Sequence, residues 1–425
     1  MAIIRPFKAI RPDNKIAQEV CALPYDVMNR TEAKAMAEHN PHRFLHISRS
    51  EIDLPDEVPS YDDAVYAKAK ENLDAWLDSG VMREDDKPYL YIYKLDFNGH
   101  SQTGIVAAFS IDEYETGHIK KHELTREAKE LDRIRHFDAV SADTEPVFLA
   151  YKNEDGLLPF MLDSYKDAVT PEYSFTLEDG VTHTLWRIVE DEYIADIVEY
   201  FTLKDNLYIA DGHHRSASAY KVGKRRREAA IADPNSDGDY DPDADYNYFM
   251  AVLFPDDELE IMDYNRVVYD LNGLDKTEFL EAVGAKFDIV EVLEGEDADV
   301  PPRRKHEFAM YLAGTWYLLT ANEGTFDAND VISSLDAEIL QKNLLQPILG
   351  IEDPRTSDRI DFVGGIRGLR ELSRRVDELP SAVAFAIYPV SMEDLFDVAD
   401  AGSIMPPKST WFEPKLGSGL FVKKI

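Results

Sequence analysis

The sequence predicts a mixed α/β protein whose sheets combine local hairpins with crossover connections. Three observations carry that expectation. Runs rich in aromatic and β-branched residues flank Asn98-Gly99 and Asp179-Gly180, dipeptides that favour tight hairpin turns. A short apolar strand, Leu207 to Ala210, meets a helix across Asp211-Gly212. Helical and strand-like apolar periods then keep alternating to the C-terminus, the pattern of mixed sheets. At 425 residues the chain exceeds the size of a usual single core, so two or three packed subdomains are expected. No fixed-period repeat is present, which sets solenoids and propellers aside.

Along the chain, the first 60 residues read mostly as loop, with a short helix from Thr31 to Glu38 and an apolar strand from Phe44 to Ile47. Ser60 opens the next helix. Ser60 and Asp63 have the spacing of a capping box, Val65, Ala69, Leu73, Trp76 and Leu77 follow at helical intervals, and Gly80 is the stop. The first hairpin joins Tyr89–Phe97 to Thr103–Ile111. A polar helix, Thr125 to His136, leads into a strand from Pro146 to Tyr151. The second hairpin pairs Tyr173–Leu177 with His183–Val189, and Ile194 to Phe201 is an amphipathic helix. Strand Leu207–Ala210, helix Ser216–Ala230 and strand Tyr248–Phe254 follow. Residues 274–330 read as helix, strand, strand, a small inserted α+β unit. Helices Leu335–Leu349, Ile366–Val376 and Met392–Ala401, with a strand from Val383 to Val390, lead to a basic loop and a last strand.

Composition narrows the function. The hydrophobic share is 44% and the charged share 30%, and 46 Lys plus Arg against 82 Asp plus Glu leave a formal charge of −36. A surface of that sign repels nucleic-acid backbones and anionic lipid, so no nucleic acid and no membrane partner is expected, and an anion needs a local basic pocket. The start MAIIRPFKAI lacks a signal-peptide core and Cys21 is the one cysteine; both point to a cytoplasmic protein. A homo-oligomer is compatible with the sequence.

The sharpest local feature is Ala210-Asp211-Gly212-His213-His214-Arg215. A helix N-terminus carries positive partial charge and unpaired N–H groups, so two histidines and an arginine there conflict with it unless an anion intervenes. A phosphate removes the conflict: Gly212 allows close backbone approach, first-turn amides donate, and Arg215 can grip two oxygens. The bland alternative has Asp211 capping the helix, Arg215 ion-paired and the histidines at the surface.

This turn resembles the phosphate-cradling turn of the ParB/sulfiredoxin superfamily and is similar to that of the free serine kinases within it. Over a much longer stretch the chain is identified as a member of the bacterial family called domain of unknown function 1015. That resemblance rests on Arg5-Pro6-Phe7, Leu23-Pro24-Tyr25-Asp26, His122-Glu123-Leu124-Thr125 with Asp132-Arg133, the ADGHHR turn, and Met405-Pro406-Pro407-Lys408-Ser409-Thr410 with Phe412 and Pro414-Lys415. It implies a ParB/sulfiredoxin-like core with additional N-terminal and inserted α+β subdomains. The expected division is 1–204, carrying the HELT motif; 205–273, the phosphate-binding segment; 274–330, the inserted unit; and 331–425, completing the core. Similarity to the serine kinases implies phosphoryl transfer between a nucleotide, ATP or ADP, and the hydroxyl of free L-serine, with Mg²⁺ and a carboxylate base.

His122-Glu123-Leu124-Thr125 supplies a base. Lys120 and Lys121 precede it, and a glutamate beside cations stays ionised, as acceptance of a hydroxyl proton requires. Glu123 takes that role, with Asp211 as the competing base or Mg²⁺ ligand. His122, Thr125 and Arg133 are candidates for holding the substrate, and so are Lys408, Ser409, Thr410 and Lys415, which form an anion clamp on a loop stiffened by Pro406-Pro407. The alternatives are a helix start with Thr125 as N-cap and a tail that merely completes a sheet. Asp26 reads as a turn cap.

Two features carry less than their patterns suggest. Asp233, Asn235, Asp237 and Asp241 fit half a calcium loop, but its twelfth position is Ala244, so the segment reads as an acidic surface insertion. Lys224-Arg225-Arg226-Arg227 reads as a solvated helix end, where cations suit the dipole. The leading function is therefore a small-molecule phosphotransferase, a nucleotide-dependent kinase acting on L-serine or a similar hydroxy acid, running in either direction. Two alternatives stay open. One is a ParB-like nucleotide-binding or sensing protein without turnover; the other is a metal-dependent phosphohydrolase.

Overall fold

The largest sheet grows from the hairpin that Asn98-Gly99 specifies. Both residues adopt positive φ, 50° and 84°, the geometry of a two-residue turn whose twist matches the strands it joins. Phe97 pairs directly with His100 in antiparallel register. In the computed structural model, which describes residues 2–234, 238–291, 300–379 and 381–425, the chain divides into one unit of Met1–Leu259 with Pro414–Ile425 and a second of Glu260–Glu413.

The first unit holds a mixed nine-stranded sheet. Its order is Ile119–Lys120, Leu207–Asp211, Val147–Tyr151, Tyr248–Pro255, His100–Ser110, Leu90–Phe97, Thr182–Ile188 and Tyr173–Thr176, with Ile4–Arg5 added alongside His100–Ser110. Alternate residues of these strands, among them Ile92, Ile105, Phe109, Leu149, Ile209 and Leu253, form one core with Ala217 and Val222 of helix His213–Ala232. A smaller sheet, Met82–Glu84, Ala9–Pro12, Val422–Lys424 and Ala142–Asp143, backs a second core around Phe44, Trp76 and Val140.

The second unit is an antiparallel sheet of six strands in the order Phe287–Glu291, Thr315–Ala321, Glu307–Leu312, Val383–Ile387, Tyr264–Val268 and Ile360–Gly364. Strand Val383–Ile387 is buried on both faces: Val383, Phe385 and Ile387 enter a core with helix Lys276–Gly284, while Ala384 and Ala386 enter another with helix Leu369–Asp377. Small residues on that second face let the helix lie close. Two short strands, Glu260–Met262 and Trp411–Glu413, pair where this unit begins and ends.

Several elements differ from the sequence expectation. Phe44–Ile47 is helical rather than extended: Leu45–Ser48 is a single α-turn, with Ser48 N–H donating to the Phe44 carbonyl. Four apolar residues suit either conformation, and burial beneath Trp76 decides. Helix Asp63–Ser79 is capped by Asp62, which accepts from Ala64 N–H, and not by Ser60; Gly80 ends it in the left-handed region as expected. The polar helix runs Glu127–Val140. Helix Leu157–Ala168 is absent from the sequence reading because Pro159 masks its start; proline is tolerated in a first turn, where its missing N–H has no partner to lose. The division of the chain also runs differently from the four expected segments. Strands from 205–273, 274–330 and 331–425 share the second unit's sheet, and polar positions such as Asn265, Arg266 and Asp361 hide two of them. Asn235 and Asp237 of the acidic segment lie outside the described residues.

Candidate functional site

Strand Leu207–Asp211 lies antiparallel to Val147–Tyr151, with an irregularity between Ile209 and Asp211 that turns the end of the strand. Gly212 follows at φ 96° and helix His213–Ala232 begins. A Cβ at Gly212 would sit 2.9 Å from Arg215 Nε, so glycine is what allows the guanidinium to fold beneath the turn. There Arg215 donates to the Pro146 carbonyl and stands 3.8 Å from Asp211. Asp211 accepts from Gly212 N–H at 2.7 Å and from Lys415 Nζ at 3.1 Å. Burial on its own would raise the Asp211 carboxyl, but Lys415 and Arg215 outweigh it and hold the group well below the usual carboxylate range.

The histidines do not carry the positive charge expected of this turn. Burial pushes His214 and His122 down to about 4 and His213 well below its ordinary value, so all three are neutral at pH 7. The rings of His213 and His214 are acceptors: His213 Nε2 receives the His122 N–H at 3.4 Å, and His214 Nε2 receives the Arg126 N–H at 2.9 Å. Backbone donors at Nε2 assign the ring proton to Nδ1 in each case. The conflict between cations and a helix N-terminus is thus resolved by neutral imidazoles, with Arg215 compensated by Asp211, Asp26 and Glu145.

Those two bonds tie the HELT segment onto the turn. The rings of His122 and His213 meet edge to face at 4.5 Å between centroids, and half-buried Glu123 lies between the two anchor points. Thr125 is not an N-cap; its hydroxyl donates to Glu130 Oε2 at 2.8 Å, and Arg126 precedes the helix without a side-chain cap. Arg133 is buried against protein partners, 2.8 Å from Asp132 and 3.9 Å from Glu145, with its guanidinium 3.8 Å above the Tyr25 ring.

Glu145, which the sequence reading missed, is central to this cluster. Its Oε1 accepts from Tyr25 N–H at 3.1 Å and from Ser418 Oγ at 2.7 Å, and burial raises its pKa against the opposing pull of Arg215 and Arg133. The signal available was a charged Asp143-Thr144-Glu145 directly before a fully apolar strand. Tyr25 and Asp26, among the residues that carry the family resemblance, act here on Arg215.

Of the C-terminal loop, Lys415 reaches Asp211 in the first unit. Lys408, Ser409 and Thr410 belong to the second unit, where Lys408 Nζ lies 5.2 Å over the Tyr264 ring and Ser409 Oγ donates to the Pro406 carbonyl at 2.7 Å. The basic run is spent on neighbours: Lys224 pairs with Glu115, Arg225 with Asp138 and Arg227 with Asp112, and Arg226 donates to the Ile425 carbonyl. No group of three or more His, Cys, Asp and Glu side chains able to hold a metal ion occurs among the described residues, nor does a helix there have the length and apolarity to cross a membrane.

A model of the family described as "Protein of unknown function (DUF1015)" matches residues 4–338. Among curated proteins none matches the chain. Solved structures with similarity include SbnI with C-terminal truncation from Staphylococcus aureus, at 10% identity and TM-score 0.39 over 75% of this chain and 87% of that one. A mutant free serine kinase in complex with ADP is similar at 13% identity and TM-score 0.35, over 75% of this chain and 92% of its own. A conserved hypothetical protein from Pyrococcus furiosus follows at 14% identity and TM-score 0.34, over 75% and 95%. At such identities and TM-scores the likeness is too distant to carry a reaction or a substrate to this chain.

Proposed function

The chain belongs to the family described as protein of unknown function (DUF1015), and from that premise we propose that it is a nucleotide-dependent phosphotransferase acting on the hydroxyl of L-serine or a similar small hydroxy acid. The observation that carries this reading is the seating of the Glu123 loop on the Gly212 turn beside Lys415. A carboxylate, a lysine and the first-turn amides of a long helix thereby share one locality, which is the minimum needed for a base and a phosphate cradle.

In this reading the amides of the first turn and Lys415 hold the phosphates of ATP or ADP. The acceptor oxygen attacks the terminal phosphorus, the bond from that phosphorus to the bridging oxygen of the nucleotide breaks, and Glu123 takes the hydroxyl proton. His213 and His214 position the Glu123 loop rather than touching phosphate. Arg215 acts from beneath the turn, steadying Asp211. Mg²⁺ fits on limited terms: Asp211 is one carboxylate already receiving Lys415 and Gly212 N–H, which suits an ion that arrives with the nucleotide and keeps its waters, and does not suit a protein cage. When bound, it would neutralise phosphate charge.

Purified protein incubated with Mg²⁺, L-serine and ATP or ADP should give a phosphoserine resonance in phosphorus NMR, lost in Glu123→Ala. Nucleotide protection against heat without any phosphorylated product would favour a sensing protein. Phosphate release without an acceptor would favour a phosphohydrolase.

A further inference from the structure

The first unit contains a concavity that the phosphate turn does not account for. A cavity of about 210 Å³ opens between the N-terminal loops, helix Asp63–Ser79 and helix Glu127–Val140. Pockets for drug-sized ligands run to roughly 300–1,000 Å³, so an occupant here is smaller. The charged groups of the lining are already committed within the protein. Arg49 stands 2.8 Å from Glu51, and its Nη1 donates to the carbonyls of Tyr25 and Met28 at 3.0 and 3.1 Å. Arg133 is held by Asp132 at 2.8 Å, and Asp132 also receives Tyr66 OH at 2.8 Å. Lys129 interacts within the protein, and Asp26 acts on Arg215. A charged occupant would leave water without meeting a free counter-charge, whereas an uncharged one carries no such cost.

Two uncharged polar groups of the lining are left over. Ser48 is 3% exposed, and its hydroxyl makes no hydrogen bond among the described residues. Its neighbour Ser50, by contrast, donates to the Val65 carbonyl at 2.6 Å. His136 is equally buried; burial pushes it down to about 4, so the ring is neutral, and its Nε2 donates to the Ile47 carbonyl at 3.1 Å. The ring proton therefore sits on Nε2, and Nδ1 is a lone pair with no donor among the described residues. The Ile47 carbonyl belongs to the peptide that leads into Ser48, so the ring lies beside the backbone that carries the hydroxyl. Polar groups at that depth cost stability unless a ligand or water completes them. Met28, Tyr61 and Val65 add apolar surface to the same lining, which carbon-bound hydrogens can cover.

We infer that this cavity binds a small uncharged polyhydroxy compound, a polyol or single-ring sugar, with one hydroxyl donating to His136 Nδ1 and another pairing with Ser48 Oγ. This site is independent of the phosphotransferase reading, and serine, which carries two charges, does not belong in it.

Saturation-transfer NMR of the full chain with glycerol, myo-inositol and D-glucose, each at millimolar concentration, is the test. At least one of the three should receive saturation from the protein, and L-serine or glycerol 3-phosphate should displace it only at about ten-fold higher concentration or more. Ser48→Ala should weaken binding by about two- to ten-fold, the worth of one hydrogen bond, and His136→Phe by a similar factor. Polyols stabilise proteins generally by exclusion from their surface, so heat stability in their presence is not the readout. Thermal unfolding without any probe instead checks the lining: Ser48→Ala removes a hydroxyl that makes no bond and should not lower the midpoint. A lowered midpoint would show that hydroxyl to be bonded already and would overturn the inference. Absence of saturation transfer to all three probes would overturn it as well, leaving a cavity for water alone. So would transfer that Ser48→Ala leaves unchanged, or displacement by L-serine or glycerol 3-phosphate at equal concentration. His136→Phe also loses the bond to Ile47; if that variant does not fold, Ser48→Ala decides.

Discussion

Gly212→Ala tests whether the turn is built around the inward-folded Arg215. Two costs are expected. Residue 212 sits at φ 96°, and an L-residue in the left-handed region costs about 1–2 kcal/mol. The new Cβ would also lie 2.9 Å from Nε and 3.1 Å from Cζ of Arg215, an overpacking of a buried side chain worth about 1–3 kcal/mol. The sum is about 2–5 kcal/mol. Gly180→Ala supplies the comparison, since Gly180 has φ 84° and nothing within 4 Å of its Cβ position; it should show the backbone cost alone. Urea unfolding followed by Trp76 and Trp186, in a Trp316→Phe, Trp411→Phe background, reports the first unit. An equal midpoint shift for the two substitutions would refute the placement of Arg215 beneath the turn.

Three further outcomes follow from the same geometry. His122, His136 and His214 should show no imidazole titration near 6.5 in NMR spectra of the folded protein, protonating only toward pH 4; because their folded values are depressed, the stability they contribute is full above 6.5 and is lost as pH falls from there toward 4. A step near 6.5 for any of them would contradict the burial that keeps the three rings neutral. Lys415→Met leaves Asp211 short of a charged donor and should cost about 1–3 kcal/mol at pH 7 in the same unfolding assay; since that carboxyl titrates below its unfolded value of 3.8, the loss should shrink as pH falls below 3.8. Cys21 is fully buried, and burial pushes its thiol up, so a disulfide reagent should label it only after unfolding. Labelling of native protein within seconds at pH 8 would refute this.

What was legible in the sequence divides along physical lines. Asn98-Gly99, Asp179-Gly180 and Gly80 were readable because positive φ restricts residue choice locally. The strand, glycine and helix at 207–232 were readable because an apolar run meets a turn residue. Of the segments singled out in the sequence, His122 and Lys415 contact the turn, while Lys408, Ser409 and Thr410 belong to the other unit. It misassigned the electrostatics, since whether His213 is cationic depends on burial that local sequence does not encode. Glu145 was invisible for the same reason: a glutamate in a polar tripeptide looks solvated until Arg133, Arg215, Tyr25 and Ser418 close around it. Strands Tyr264–Val268 and Ile360–Gly364 escaped because their apolar pattern is broken by residues that hydrogen-bond or ion-pair inside unit two, as Asn265 does with the Ile387 N–H and Asp361 with Arg375.

The route of the chain has a consequence for its birth on the ribosome. Residues 260–413 are threaded through before residues 414–425 return to the first unit. Val422–Lys424 is the strand that joins Ala9–Pro12 to Ala142–Asp143, and Lys415 is the cation that reaches Asp211. The second unit's sheet is complete in contiguous sequence and can form while translation continues. The first unit must wait with its smaller sheet divided and Asp211 without that lysine until residues 414–425 have emerged. A product cut short before residue 414 therefore lacks both that strand and that lysine.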